Sequence, residues 1–339
     1  MAVSVAAIYF GGKRFRELPF QNEDEFERLL LENSGMLFGE KSLYIDFKSR
    51  VEGRTLGSAI PDGILVDFRD PEDPKFYLVE VELSEHDFYK HIFPQVTKFF
   101  AFFKNPKGRT ELVEKMFTVI NADQNMRDRF NQLVGSKEIY KSLKDIVENS
   151  QNILIIIDGL KPEFDEVKET YTDTWDKMVQ VMVIKKFQAN DSIILYVNPD
   201  FEEQGLEQPP DGDNEERYTE EYHLGDVAPN IISTYQRLKQ EISRIEPRIV
   251  FNPQKYYISL RGEKNFAYIK FRKQKMHIIL MMSYEDGKQL IKKHKLSPLS
   301  DSIKKFHGGE CFRITLENED NLDEVIQAIM QSYKQQKQV

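Results

Sequence analysis

Two stretches of regular apolar–polar alternation lie either side of one long polar break. Val3–Phe10 is an apolar run closed by Gly11–Gly12, which predicts a short strand and a turn. From Glu23 to Asn33, Phe26, Leu29 and Leu30, with Leu37 beyond, fall on one helical stripe. Asn22 stands at the N-cap position and Glu25 three residues on, as in a capping box. Residues 42–52 alternate and predict a strand. Ala59–Phe68 (AIPDGILVDF) and Phe76–Leu83 (FYLVEVEL) flank RDPEDPK, whose Asp and Pro residues predict a turn, so the pair reads as a hairpin. His86–Phe103 has Phe88, Ile92, Val96, Phe99 and Phe103 on one stripe and predicts a helix; Pro94 either kinks it or marks its start. A largely helical region runs to Asn149, and Asn152–Ile157, Val179–Phe187 and Ser192–Val197 predict further strands. About six strands among helices predict an α/β domain, a mixed sheet flanked by helices, over residues 1–200.

Residues 201–220 hold Pro-Pro, Asp-Gly and eight acids against one cation, the pattern of an acidic linker. Beyond it, residues 221–339 predict a small α+β domain with a three- or four-stranded sheet. Its elements are a helix at Ala228–Ile245, strands at Tyr256–Leu260, Phe266–Phe271, His277–Met282 and Cys311–Leu316, and a closing helix at Asn321–Tyr333.

Composition narrows the setting. The chain has 339 residues and a net charge of -9, yet residues 221–339 carry 20 Lys+Arg against 14 Asp+Glu. A basic module beside an acidic one suits polyanion binding; solvated surfaces are the plainer alternative. No apolar run approaches the roughly 20 residues of a membrane span. The first residues lack the basic lead of a signal peptide. Cys311 is the one cysteine, so no internal disulfide can form, and a cytoplasmic location is expected.

The hairpin carries the candidate chemistry. Glu80 and Glu82 share one face of their strand, because side chains alternate. With the turn near residues 71–72, Asp62 lands opposite about Val81, within a residue of both glutamates. Three carboxylates on adjacent strands repel one another unless a proton or cation neutralises them, and hard oxygen ligands suit Mg²⁺ or Mn²⁺. Glu27, on the first helix, is the best fourth carboxylate, with Glu23, Glu25 and Glu32 as competitors. His86 and His91 are further possible ligands, although a histidine on a helix is more often a surface or packing residue. The plain alternative makes Glu80 and Glu82 the wet face of an edge strand and Asp62 part of a Pro-Asp-Gly turn.

Ile60-Pro61-Asp62, then Glu80-Val81-Glu82 on the next strand, then a helix with Gln95 resembles the PD-(D/E)xK nuclease superfamily over roughly residues 23–103, and more loosely to 200. Glu82 stands where the usual motif ends in lysine, a variant known among some restriction enzymes of that superfamily. The resemblance implies a restriction-endonuclease-like fold and Mg²⁺- or Mn²⁺-dependent cleavage of DNA, with RNA as the other possibility. It implies metal binding by Asp62, Glu80 and the Val81 carbonyl, with Glu82 binding metal or activating water and Gln95 positioning substrate or metal-bound water. Lys98 or Lys90 would supply a migrated cation. Loss of that lysine leaves a second expectation, an inactive nuclease-fold module that binds nucleic acid or a partner protein.

Residues 218–335 resemble a small bacterial domain of unknown biochemistry, sometimes called a predicted transport protein. The resemblance rests on YTEEYHL, YYISL, FAYIKF and QSYKQ. Arg261, Lys264, Lys270, Arg272, Lys273 and Lys275, interleaved with aromatic residues, form a candidate phosphate-tracking set. This domain is also where a homodimer or partner-protein contact is expected.

Overall fold

A computed structural model describes residues 7–50, 60–71, 73–135, 138–202, 218–225, 227–299, 303–304 and 307–337. The chain divides into two compact units, Met1–Gln204 and Gly205–Val339. Most of the acidic stretch expected as a linker, residues 203–217, lies outside the described residues.

The first unit is a mixed α/β sheet flanked by helices. Its strands are β1 (Ala7–Phe10), β2 (Lys13–Glu17), β3 (Ser42–Asp46), β4 (Gly63–Asp67), β5 (Lys75–Glu82), β6 (Asn152–Ile157), β7 (Val179–Ala189) and β8 (Ser192–Asn198). They form an eight-stranded sheet in the order β1-β2-β7-β6-β5-β4-β3, with β8 also on β7. The β5–β6 and β6–β7 ladders are parallel and the others antiparallel. The one strand not expected is β2, whose sequence KRFRE has a single buried residue, Phe15, and so gives almost no apolar signal.

Helix α1 (Glu23–Phe38) buries Phe26, Leu30, Leu37 and Phe38 on one face of the sheet, against Val79, Val81 and Leu154. It runs past the predicted end at Asn33. Asn22 caps it by accepting from the Glu25 N–H at 2.9 Å, while Glu25 reaches the Gln21 N–H at 2.7 Å. The opposite face is covered by α3 (Phe93–Lys104), α4 (Pro106–Ala122), α5 (Gln124–Val134), α6 (Ile139–Asn149) and α7 (Glu163–Thr170). The residues 42–52 expected as one strand break after Asp46 into a short helix, α2 (Phe47–Arg50), and 51–52 lie outside the described residues. The helix expected from His86 begins as a π-helical turn at Phe88–Ile92; Pro94 sits in the first turn of α3, where its missing N–H costs nothing.

The second unit has helices α8 (Glu220–Leu224), α9 (Pro229–Ile245), α10 (Tyr284–Leu290) and α11 (Leu322–Lys337). Its strands are β9 (Val250–Pro253), β10 (Ile258–Arg261), β11 (Asn265–Arg272), β12 (Lys275–Leu280), β13 (Lys295–Pro298) and β14 (Phe312–Leu316). They form one antiparallel sheet in the order β13-β14-β12-β11-β10-β9. Six strands replace the three or four expected. The additions, β9 and β13, are four-residue edge strands, each carrying a proline that weakens the strand pattern. Ile258, Leu260, Ile269, Ile278 and Ile314 form the core with the helix residues Tyr235, Leu238, Val325 and Ile329. No helix among the described residues is long and apolar enough to cross a membrane.

Candidate functional site

The carboxylates gather where β4 begins and β5 ends. The hairpin register pairs Gly63 with Val79, which sets Asp62 beside Glu80, one residue from the expected Val81. Glu80 and Glu82 lie on the face of Phe76 and Leu78, under the helical layer that includes α3. Because β5 is flanked by β4 and β6, the two glutamates are not the wet face of an edge strand. Asp62, Glu80 and Glu82 are 9%, 8% and 6% exposed, so all three acids are withdrawn from water.

Burial raises each of them. The Asp62 carboxyl is pushed up to about 7; the Val81 N–H and Lys48 oppose that rise, and Glu27 adds to it. Glu80 is raised well above the usual carboxylate range by burial, then by Asp62 and Glu82, with a hydrogen bond from Gln95 opposing. Oδ2 of Asp62 accepts from the Val81 N–H at 2.9 Å. The N–H and C=O of a strand residue point to the same side. The Val81 carbonyl therefore faces the Asp62 side of β5. Oε2 of Glu80 is buried and has no hydrogen-bond partner among the described residues.

Among the described residues, the cation paired with these acids is Lys48. Its Nζ lies 2.8 Å from Glu27 Oε1 and 3.3 Å from Asp62 Oδ1, and both acids hold its ammonium well above the ordinary lysine range. Antiparallel pairing of β3 with β4 brings it there: the Phe47 and Lys48 N–H groups both donate to the Asp62 carbonyl. Lys48 was missed because the 42–52 stretch reads as continuous strand; pairing it against Pro61–Asp62 would have exposed it. Among the described residues no ion pair joins these acids to Lys98, exposed on α3, or to Lys90, which pairs with Asp87 at 3.7 Å. Glu27 reaches the site through Lys48. Gln95 approaches Glu80 and, at 3.4 Å, the Ile60 carbonyl. Gly63 leaves room for the Tyr44 ring, which a Cβ there would strike.

Glu82 has partners of its own beside the Asp62–Glu80 pair. Its Oε2 lies 3.1 Å from His86 Nδ1, which is also 3.1 Å from Glu23 Oε1. Among the described residues, Glu23, Glu82 and His86 are the set whose ligand atoms lie within 4.8 Å of one another. The glutamates raise the His86 imidazole above its ordinary value, Glu82 most, and burial raises Glu82. The His91 ring stands 5.3 Å from that of His86. The expected three-acid cluster is thus two adjacent groups, Asp62–Glu80 with Lys48, and Glu82–His86–Glu23. The first offers only oxygen donors, one of them an orphaned buried oxygen, which fits a hard divalent cation.

In the second unit the six predicted cations do not form one patch. Lys270, Arg272 and Lys275 share the sheet face opposite the helices, with Arg272 in register with Lys275. Arg261 and Lys264 flank the β10–β11 turn, while Lys273 lies in the β11–β12 turn at the other end of β11. Eight residues of strand, roughly 25 Å, separate the two turns. Arg313, buried and in register with Ile279 on the Lys270 face, was not predicted.

In comparison with known proteins, residues 220–336 match the model of a family described as a domain of unknown function (DUF5655). An uncharacterised protein of Haemophilus influenzae is 21% identical over 333 residues, 95% of this chain and 96% of that protein. No solved structure matches the chain significantly.

Proposed function

We propose that the first unit is a PD-(D/E)xK-type nuclease that hydrolyses phosphodiester bonds in DNA with Mg²⁺ or Mn²⁺, and that the second unit holds nucleic acid. Restriction, phage defence or repair are the settings that suit such an activity. The observation that carries this reading is the in-register pair Asp62 and Glu80: buried, raised in pKa, and with the Glu80 Oε2 lacking a partner among the described residues. Two such acids are poorly neutralised by one lysine and well neutralised by a divalent cation. Asp62, Glu80 and the Val81 carbonyl would hold it. A divalent cation there polarises a phosphoryl oxygen and lowers the pKa of a bound water. Lys48 supplies positive charge next to Asp62, where charge builds on the phosphate oxygens. Gln95, hydrogen-bonded to Glu80, would orient it, and the adjacent Glu82–His86 pair would accept a proton from water.

A second reading has one observation in its favour. Both Asp62 oxygens already have partners, Val81 N–H and Lys48, as in a fold that binds nucleic acid without cutting it. Incubating plasmid and single-stranded DNA with wild type, Asp62→Ala and Glu80→Ala, in Mg²⁺ or Mn²⁺ and in EDTA, separates the two. The nuclease reading requires metal-dependent cleavage by wild type that both variants lose. Equal, metal-independent traces in all three samples would leave only the binding reading.

A further inference from the structure

The β1–β2 hairpin has no part in the carboxylate site, yet its surface is built for a ligand. Gly11 and Gly12 have φ of +56° and +72°, the left-handed pair of a tight two-residue hairpin turn, so the tip is short and stiff. Tyr9 and Phe10 at that tip are 74% and 70% exposed, an unusual placement for two aromatic rings unless they serve contact. The register pairs Tyr9 with Arg14 and Ala7 with Arg16, which puts Tyr9, Arg14 and Arg16 on one face. The Arg14 guanidinium lies 5.8 Å over the Tyr9 ring. Lys13, Arg14 and Arg16 are exposed, and none has an ion pair among the described residues.

The position of the arm matters as much as its composition. The parallel ladders end at Glu82, Ile157 and Val183. β7 continues beyond that line, and β2 joins it at Phe187 and Gln188. The base of the arm thus stands four to five residues, roughly 15 Å, past the strand ends where the acids lie. It is fixed there: Phe20 stacks on Phe26 of α1 with ring centroids 3.9 Å apart, and Lys186 pairs with Glu25 two residues from Glu23.

We infer that the β1–β2 hairpin is an arm that grips a single-stranded segment of nucleic acid leading into the carboxylate site, with a base stacking on Tyr9 and phosphates meeting Arg14 and Arg16 on one face, and the strand passing round the tip to Phe10 and Lys13, which share the other face. This rests on the nuclease reading for the identity of the ligand. A single strand fits because its unpaired bases present ring faces to exposed aromatics, whereas a duplex presents mainly phosphate. Three exposed cations without ion pairs among the described residues draw a polyanion to the arm, away from the repulsion of the carboxylates.

The test is fluorescence anisotropy of the full chain with a labelled 20-nucleotide single-stranded DNA in EDTA, at several salt concentrations. Binding without metal separates this inference from the nuclease reading, since a chain that binds in this way but never cleaves refutes only the latter. Lys13→Glu/Arg14→Glu/Arg16→Glu should weaken binding at least tenfold and flatten the salt dependence by about 2 in slope, for three phosphate contacts on a single strand. Tyr9→Ala/Phe10→Ala should weaken binding about tenfold and leave the slope unchanged, the signature of lost stacking. All these side chains are exposed, so melting curves matching wild type should accompany both variants. Wild-type affinity and slope in both variants would overturn the inference. So would absence of wild-type binding, or a change in oligomeric state on removing the two rings, which would mark the hairpin as a contact between copies.

Discussion

Asp62 makes the stability of the metal-free protein depend on pH in a direction that ordinary acids do not. Its carboxyl titrates at about 7 in the folded chain and near 3.9 in an unfolded one. The folded form therefore holds the proton more tightly, and stability conferred by the protonated acid is lost as pH rises from about 4 to about 7. At 1.36 kcal/mol per pH unit, this one group removes roughly 2.5 kcal/mol between pH 5 and pH 8. Glu80, shifted in the same direction, adds to the loss. Asp62→Asn keeps an acceptor for the Val81 N–H but has nothing to titrate. Its urea-unfolding free energy in EDTA should fall by that much less than wild type over the same interval. The single tryptophan, Trp175, is buried in the core of the first unit and reports that unit alone. Saturating Mg²⁺ should abolish the difference in pH slope, because a cation holds the carboxylate ionised, and should stabilise wild type by about 2.7 kcal/mol at one hundred times Kd. Parallel pH dependences for wild type and Asp62→Asn would refute the argument, since a carboxyl not raised by burial cannot produce the slope.

Lys48→Met should lower metal-dependent cleavage by at least about a hundredfold while leaving the Trp175 unfolding midpoint within a few degrees, because the lysine is 48% exposed and its ion pairs add little to folding; unchanged kcat would remove Lys48 from the site. Glu82→Gln should bring the His86 imidazole down towards its ordinary value in an NMR titration, because Glu82 is the largest cause of its rise; an unmoved His86 would mean that Glu23 alone holds it. Gly63→Ala should cost about 1–3 kcal/mol, because its Cβ meets the Tyr44 ring at the start of β4, and equal stability in calorimetry would show that the ring can move aside. Phe99→Ala, which empties a fully buried position between α3 and the sheet, should cost about 3–5 kcal/mol by urea unfolding.

The hairpin was legible because RDPEDPK separates two strongly apolar strands, and the alternation of Glu80 with Val81 and Glu82 fixed which acids share a face. The register was off by one, since a turn of several residues does not locate its own centre. Lys48 was not legible, and Glu23 stood only among the competitors for the fourth carboxylate, because each reaches the site through contacts between elements distant in sequence: β3 against β4, and α1 against the end of β5. His86 was a possible ligand from its sequence, and its pairing with Glu82 four residues away is local. Strands β2, β9 and β13 escaped because they lie at or near sheet edges, where polar residues and proline are tolerated. The cations of β10 to β12 read as one set along the chain, but a strand of eight residues carries its two ends far apart.

Crystals soaked in Mn²⁺ and measured at its absorption edge test the central claim most directly. The account predicts an anomalous peak about 2.2 Å from oxygens of both Asp62 and Glu80, with the Lys48 ammonium displaced from Asp62 and the peak gone in Glu80→Ala. A fully soaked crystal in which Lys48 still bridges Glu27 and Asp62, and no peak touches Glu80, would contradict it.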